Sequence, residues 1–218
     1  MSENEGNYIF IRHAESEKNL RDITGGEGEM LSEHGIKQAE MLLKKLAIYL
    51  ERMDECNIIS SDVIQARQTA KKIADFFSKD YSISSEIAPA GLGIASGMSS
   101  KEIKEKYPEI FDLLNRWRKQ EIEACELKIP GIESPEVFWS RIINFIKILP
   151  KDRINIVVCT RSVMVMVANL IKGNTPQLGG KYKHVNIGNC DIIAFKLNKD
   201  DSFLLLDEFS SVEEEEKK

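Results

Sequence analysis

Histidine and cysteine are both scarce in this chain. There are three histidines, at positions 13, 34 and 184, and four cysteines in 218 residues. The cysteines show no Cys-x-x-Cys spacing of the kind that zinc sites and redox motifs use. Cys159 and Cys190 lie in apolar, strand-like runs, so we expect them to be buried, reduced thiols. These observations predict a site without a metal and without a cofactor.

Long hydrophobic runs are also lacking. No apolar stretch is long enough to span a membrane, and the run that begins at Tyr8 is too short for a signal-peptide core. We therefore expect a cytoplasmic protein that does not contact membranes. The net charge of -5 is mild and argues against a nucleic-acid surface. Residues 1–6 are expected to be flexible, and residues 210–218 to form an acidic, disordered tail.

What the chain does contain is ordinary for a folded domain, with 42% hydrophobic and 30% charged residues. Strand-like and helix-like segments alternate along it. This alternation predicts an α/β fold with a mostly parallel central sheet and helices on both faces. We expect a single domain over residues 7–209, with a helical insertion at about residues 101–149 that covers one edge of the active face.

Two apolar runs end in polar residues of the kind found in binding sites. Residues 8–11 run into Arg12 and His13, and Ile154–Cys159 runs into Thr160 and Arg161. Ligands of α/β sheets bind in the crevice outside the carboxyl ends of the strands. We therefore predict that these runs are neighbouring parallel strands and that His13 and Thr160 reach the same crevice.

Five segments together carry a family pattern that covers nearly the whole chain. In chain order they are Arg12-His13-Ala14-Glu15-Ser16 with Asn19 after it, residues 31–39, residues 60–70, Pro130-Gly131-Ile132-Glu133-Ser134 with Arg141 after it, and residues 187–190. In this order the segments resemble the histidine phosphatase superfamily, which has the phosphoglycerate-mutase-like fold.

The resemblance implies a phosphoryl-transfer chemistry. In that family a neutral histidine attacks phosphorus, while arginines and a second histidine stabilise the phosphoryl oxygens and a carboxylic acid protonates the leaving oxygen. It implies that His13 is the nucleophile and that Arg12 is both catalytic and phosphate-binding. Further phosphate- or substrate-binding positions fall on Ser16, Asn19, Thr24, Gln65, Thr160 and Arg161.

Three positions depart from the family pattern. Gln65 stands where the family has a phosphate-binding arginine, and Thr160 stands where it has its second histidine. The position of the acid falls near Pro89, so Glu86 is the nearest candidate acid. Arg161 either replaces the lost charge or points to solvent. In the same way, His184 either reaches the pocket or lies on an exposed loop.

These departures leave two functions open. The first is a divergent, slow phosphomonoesterase that acts through a phosphohistidine at His13. The second is a pseudoenzyme that binds a phosphorylated ligand or partner without hydrolysing it. We favour the enzyme because the residue that would do covalent chemistry survives with its loop. The expected partner is a phosphorylated small molecule or macromolecule, and a homodimer is left open.

Overall fold

The computed structural model describes residues 6–49, 56–200 and 202–209. The strands are β1 (Gly6–Arg12), β2 (Ile23–Thr24), β3 (Cys56–Ser61), β4 (Ser82–Ser84), β5 (Met98–Ser99), β6 (Ile154–Cys159), β7 (Ile192–Leu197) and β8 (Phe203–Phe209). The helices are α1 (Glu17–Leu20), α2 (Glu33–Tyr49), α3 (Ile64–Phe76), α4 (Ser100–Lys106), α5 (Pro108–Arg118), α6 (Pro135–Ile148) and α7 (Arg161–Ile171).

The central sheet has the strand order β4-β3-β6-β1-β7-β8. Strands β4, β3, β6 and β1 are mutually parallel, and β7 pairs antiparallel with both β1 and the edge strand β8. The predicted α/β class with a mostly parallel sheet is therefore confirmed. Strands β1 and β6 are neighbours, as predicted, and their register pairs Arg12 with Cys159. Both strands thus end at the same level.

Helices cover both faces of the sheet because successive side chains of a strand point to opposite sides. Along β1, Tyr8 and Phe10 belong to the core beneath α6 and α7. Ile9 and Ile11 belong to the core beneath α2 and α3. All four side chains are buried, so β1 carries apolar residues on both faces and lies at the centre of the molecule.

The block predicted as one insertion at residues 101–149 divides in the structure. Helix α6 packs into the main core through Phe138, Ile142 and Ile146. Helices α4 and α5 instead form a smaller core with the segment that follows them, which includes Ile122 and Leu127. Pro108 is the first residue of α5 and separates it from α4, because a proline ring cannot continue a preceding helix.

The predicted terminal segments lie largely outside the described residues. Residues 1–5 and 210–218 are not described, whereas Gly6 already belongs to β1. Within the described ranges, no helix combines the length and apolarity that a membrane crossing requires.

Candidate active site

The candidate site forms where β1 and β6 end. The backbone N–H of His13 donates to the Cys159 carbonyl at 2.9 Å and extends the pairing of the two strands by one residue. His13 and Thr160 then line one cavity of about 400 Å³, as the two apolar runs predicted. Its size is in the range that small-molecule sites occupy.

The imidazole of His13 is held in one tautomer. Its Nδ1 lies 2.7 Å from the carbonyl oxygen of Ala14, which can only accept a hydrogen bond. Nδ1 therefore carries the proton, and Nε2 keeps the lone pair. His13 is only 4% exposed, and burial followed by the charge of Arg12 lowers its pKa to about 3. The ring is neutral at pH 7 and able to attack an electrophile.

The loop after β1, residues 12–16 (the histidine loop), is fixed by α2 and α3. The N–H of Ala14 donates to Thr69 Oγ1 at 3.1 Å, and the N–H of Glu15 donates to Gln38 Oε1 at 2.9 Å. A Cβ at Gly35 would lie 1.9 Å from the Glu15 carbonyl oxygen, so only glycine lets α2 approach the loop this closely. Residues 31–39 thus serve the site by positioning His13.

Arg12 supplies a buried cation beside the nucleophile. Its Nη1 donates to the Ile187 carbonyl at 2.7 Å, and its buried Nε has no partner among the described residues. Burial, followed by the charge of Arg161, lowers its pKa to about 9. The guanidinium is still charged at pH 7, and Nε remains an unused donor next to the cavity.

Of the predicted polar residues near the histidine loop, Asn19 and Thr24 line the cavity but Ser16 does not. The Ser16 hydroxyl is buried and donates to Asn19 Oδ1 at 3.1 Å. Asn189, which the sequence did not single out as a site residue, also lines the cavity and donates from Nδ2 to the His13 carbonyl at 2.9 Å. Ser16 therefore positions the loop rather than contacting a ligand.

Gln65 lines the cavity, but its amide oxygen is engaged elsewhere. Oε1 accepts a hydrogen bond from the Glu29 N–H at 3.1 Å and so holds the glycine-rich loop of residues 25–29. The cation on this side of the cavity is Lys18, which is 7% exposed. Its Nζ donates to the carbonyls of Gly25 and Glu27. A lysine in a one-turn helix is usually a surface charge, so no pattern along the chain indicated Lys18 as a site residue.

Thr160 and Arg161 lie where β6 meets α7, and both line the cavity. Thr160 is the N-cap of α7, but its hydroxyl pairs with Ser162 Oγ at 3.1 Å and does not cap the helix. The first-turn N–H groups of α7 are therefore left for another acceptor. Arg161 is an exposed residue, and partial desolvation of its guanidinium, followed by the charge of Arg118, lowers its pKa. The structure thus brings Arg161 to the cavity.

Glu86 is not at the cavity. It belongs to the 3-10 turn Ser85–Ile87, its side chain is exposed, and the lining begins three residues later at Pro89. Only the Glu86 backbone is engaged, since its carbonyl accepts from Arg141 Nη1 at 2.7 Å. The prediction of Glu86 as a site acid is therefore corrected: the chain turns here before it reaches the cavity wall.

Carboxylates that do line the cavity belong to Glu15, Asp22 and Glu133. Glu133 is held by the Arg141 fork, with Nη2 2.9 and 3.0 Å from its two oxygens, and by the Gly91 N–H at 3.1 Å. Glu15 Oε1 accepts from the Ser32 hydroxyl at 2.7 Å. Two of these three carboxylates thus already accept hydrogen bonds from neighbouring groups of the protein.

His184 lies at the cavity rather than on an exposed loop. Its ring packs edge-on against Trp117, with the ring centroids 4.9 Å apart. Burial, followed by the charges of Arg161 and Arg118, lowers its pKa, so it is a neutral group at pH 7. The sequence could not decide between the pocket and an exposed loop for His184, because the contact with Trp117 joins segments 67 residues apart.

Sequence comparison supports one family. The family model described as the histidine phosphatase superfamily (branch 1) matches residues 8–206. Phosphoserine phosphatase 1 of Hydrogenobacter thermophilus is 33% identical over 67% of this chain and 65% of its own length. The match therefore spans slightly less than two thirds of that relative.

Solved structures agree on the fold. A mycobacterial glucosyl-3-phosphoglycerate phosphatase in complex with VO3 has a TM-score of 0.77 at 18% identity, covering 95% of this chain and 100% of that chain. A phosphoglycerate mutase of Bacillus anthracis has a TM-score of 0.74 at 16% identity, covering 96% and 93%. At these identities the likeness concerns the fold alone. With the family match over residues 8–206, the chain belongs to the histidine phosphatase superfamily, branch 1.

Proposed function

We propose that this chain hydrolyses phosphate monoesters through a phosphohistidine at His13. The observation that carries the proposal is the state of the His13 ring. The ring is neutral, and its Nδ1 proton is donated to the Ala14 carbonyl, which leaves the lone pair on Nε2. Nε2 attacks phosphorus, an N–P bond forms, and the ester P–O bond breaks with its electron pair leaving on oxygen. Water then attacks the phosphohistidine, the N–P bond breaks, and phosphate and neutral His13 are released.

Positive groups around His13 suit the phosphoryl oxygens. Arg12 contributes a buried guanidinium, Lys18 an ammonium, and the uncapped N-terminus of α7 a set of N–H donors. These groups surround the cavity from three different segments of the chain. They act on the charge that develops as the ester bond breaks, which is where such donors lower the barrier most.

Protonation of the leaving oxygen is the weak step of the mechanism. Glu86 lies outside the cavity, Glu133 is held by Arg141 and Glu15 by Ser32, so Asp22 is the remaining carboxylate of the lining. The competing function is therefore a binding protein that holds a phosphorylated ligand without hydrolysing it. Gln65, Thr160 and the position of Glu86 favour it.

A leaving-group series separates the two functions. We expect slow, measurable hydrolysis of an activated aryl phosphate, because a phenolate leaves without much protonation. A sugar or glycerate phosphate should react about 10²- to 10⁴-fold more slowly, the usual contribution of a general acid. The measurement is the dependence of kcat/KM on leaving-group pKa. Phosphate binding without turnover of any ester would exclude the hydrolase and leave the binding protein.

Lys18 and Arg161 are expected to contribute to anion binding. Lys18→Met and Arg161→Ala should each weaken phosphate binding about 10- to 100-fold, since a hydrogen bond to a charged group contributes roughly 1.5–3 kcal/mol. Titration calorimetry with inorganic phosphate measures this directly.

Two arginines outside the cavity lining provide matched controls. Arg21 lies directly after α1, where it pairs with Glu29, and Arg67 lies on α3. Arg21→Met and Arg67→Ala remove the same charge and should change phosphate binding by no more than about fivefold, since a surface charge of this kind contributes ~0–1 kcal/mol. If all four variants behave alike, Lys18 and Arg161 do not compensate for Gln65 and Thr160.

A further inference from the structure

The cavity has a second part whose chemistry differs from that around His13. It is walled by apolar and aromatic side chains from α5, α6, α7 and the segments after α5 and α7. We call this part the apolar chamber; its walls are Leu114, Trp117, Leu127, Phe138, Val165 and Tyr182. Most of these side chains also belong to the two hydrophobic cores, so the chamber lies between the main core and the smaller one.

The apolar chamber is continuous with the histidine end of the same cavity. Helix α7 links them, because Arg161 and Val165 are one turn apart and lie on the same face of the helix. A phosphoryl group beside His13 therefore projects its ester substituent along α7 toward Val165. The substituent of the ester, rather than a separate ligand, is the occupant that this geometry allows.

The chamber is preformed. Phe138 packs beneath the Arg141 guanidinium at 5.0 Å, and Arg141 is itself fixed by Glu133. Tyr182 packs edge-on against Trp139 at 5.2 Å. The Tyr182 carbonyl also accepts from the Ala124 N–H at 2.8 Å. These contacts tie the walls to the main core, so a ligand does not have to order them on binding.

One buried polar atom in these walls lacks a partner. Within the described residues the Trp117 indole N–H is buried and makes no hydrogen bond. Tyr182, whose residue is 5% exposed, adds a hydroxyl to the same walls. A buried N–H without a partner is rare in folded proteins, so the chamber keeps a donor for a polar substituent of a ligand.

We propose that the substrate is a phosphate monoester with a bulky apolar, ring-bearing leaving group that fills the apolar chamber. The assignment rests on the proposed function and deepens it. A polyhydroxylated leaving group would be disfavoured, since its hydroxyls would lose water against Leu114, Leu127 and Val165 without gaining partners. A ring buries its surface against these apolar side chains and leaves no polar group of its own unpaired.

The test uses phosphonates, whose carbon–phosphorus bond the proposed mechanism does not break, so binding is read independently of turnover. We expect benzylphosphonate to bind about 10- to 100-fold more tightly than methylphosphonate, from the apolar area of one ring. The size-matched polar probe 3-hydroxypropylphosphonate should gain less than threefold. Equal affinities for all three probes, a preference for the polar one, or no binding of any would overturn the proposal.

Two variants locate the binding site of the ring. Ala124 lines the cavity next to the chamber wall, since its N–H donates to the Tyr182 carbonyl, and we expect Ala124→Phe to fill the chamber. Leu127→Ser makes the chamber wall polar without adding volume. Each should abolish the benzyl preference while methylphosphonate affinity stays within threefold, which also shows that the variant is folded. A benzyl preference that survives both variants contradicts the assignment.

The two proposals fail separately. A benzyl preference without turnover of any ester rejects the hydrolase and leaves the ligand class standing. Turnover without a benzyl preference rejects the ligand class and leaves the hydrolase standing.

Discussion

Replacing His13 by alanine should reduce turnover of an activated aryl phosphate to the uncatalysed background, a fall of about 10⁴-fold or more. The cavity lining contains one other histidine, His184. It packs against Trp117, a wall residue of the apolar chamber, and does not belong to the segment that follows β1. No second ring nitrogen of the described residues lies at that strand end. Phosphate binding should persist, because Arg12 and the N-terminus of α7 remain.

The measurement combines steady-state rates with a quench experiment that detects an acid-labile phosphoryl label on the protein. Wild type quenched during turnover of a ³²P-labelled ester should carry phosphohistidine, and His13→Ala should carry none. His34→Ala is the matched control, since His34 is an exposed histidine outside the cavity lining. Its Nδ1 lies 3.5 Å from Glu15 Oε1. If His13→Ala retains wild-type turnover, the nucleophile has been assigned to the wrong residue.

Arg12→Met should lower kcat/KM about 10²- to 10³-fold, the usual effect of removing one charged donor from the transition state. The effect has two physical sources. The variant removes a buried cation beside Nε2, and it leaves the Ile187 carbonyl without the donor it now has at 2.7 Å.

Arg12→Lys separates these sources because it keeps the charge and loses the planar fork. We expect Arg12→Lys to recover phosphate binding but only part of kcat, measured with the same aryl phosphate. Thermal unfolding of both variants reports how much of the loss comes from the Ile187 contact. Full activity in Arg12→Met would remove Arg12 from the mechanism.

The sequence alone determined the fold class and the place of His13 at the cavity. Residues 8–11 and Ile154–Cys159 are apolar on both faces, a pattern typical of central parallel strands, and both end in polar residues. Since parallel strands present their carboxyl ends at one edge, this pattern was enough to place His13 beside Thr160. The five motifs in their order then carried the resemblance to the family, which the family model confirms over residues 8–206.

Beyond the positions that the resemblance implied, only the tertiary structure decided which side chains reach the cavity. Lys18, His184 and Tyr182 lie on short or irregular segments, where no period fixes the direction of a side chain. Glu86 was the nearest carboxylate along the chain, yet the turn Ser85–Ile87 leaves it exposed. The apolar chamber combines residues from α5, α6 and α7 with Tyr182, and contacts between such distant segments depend on packing of the whole domain. Periodicity along the chain does not predict contacts between such distant segments.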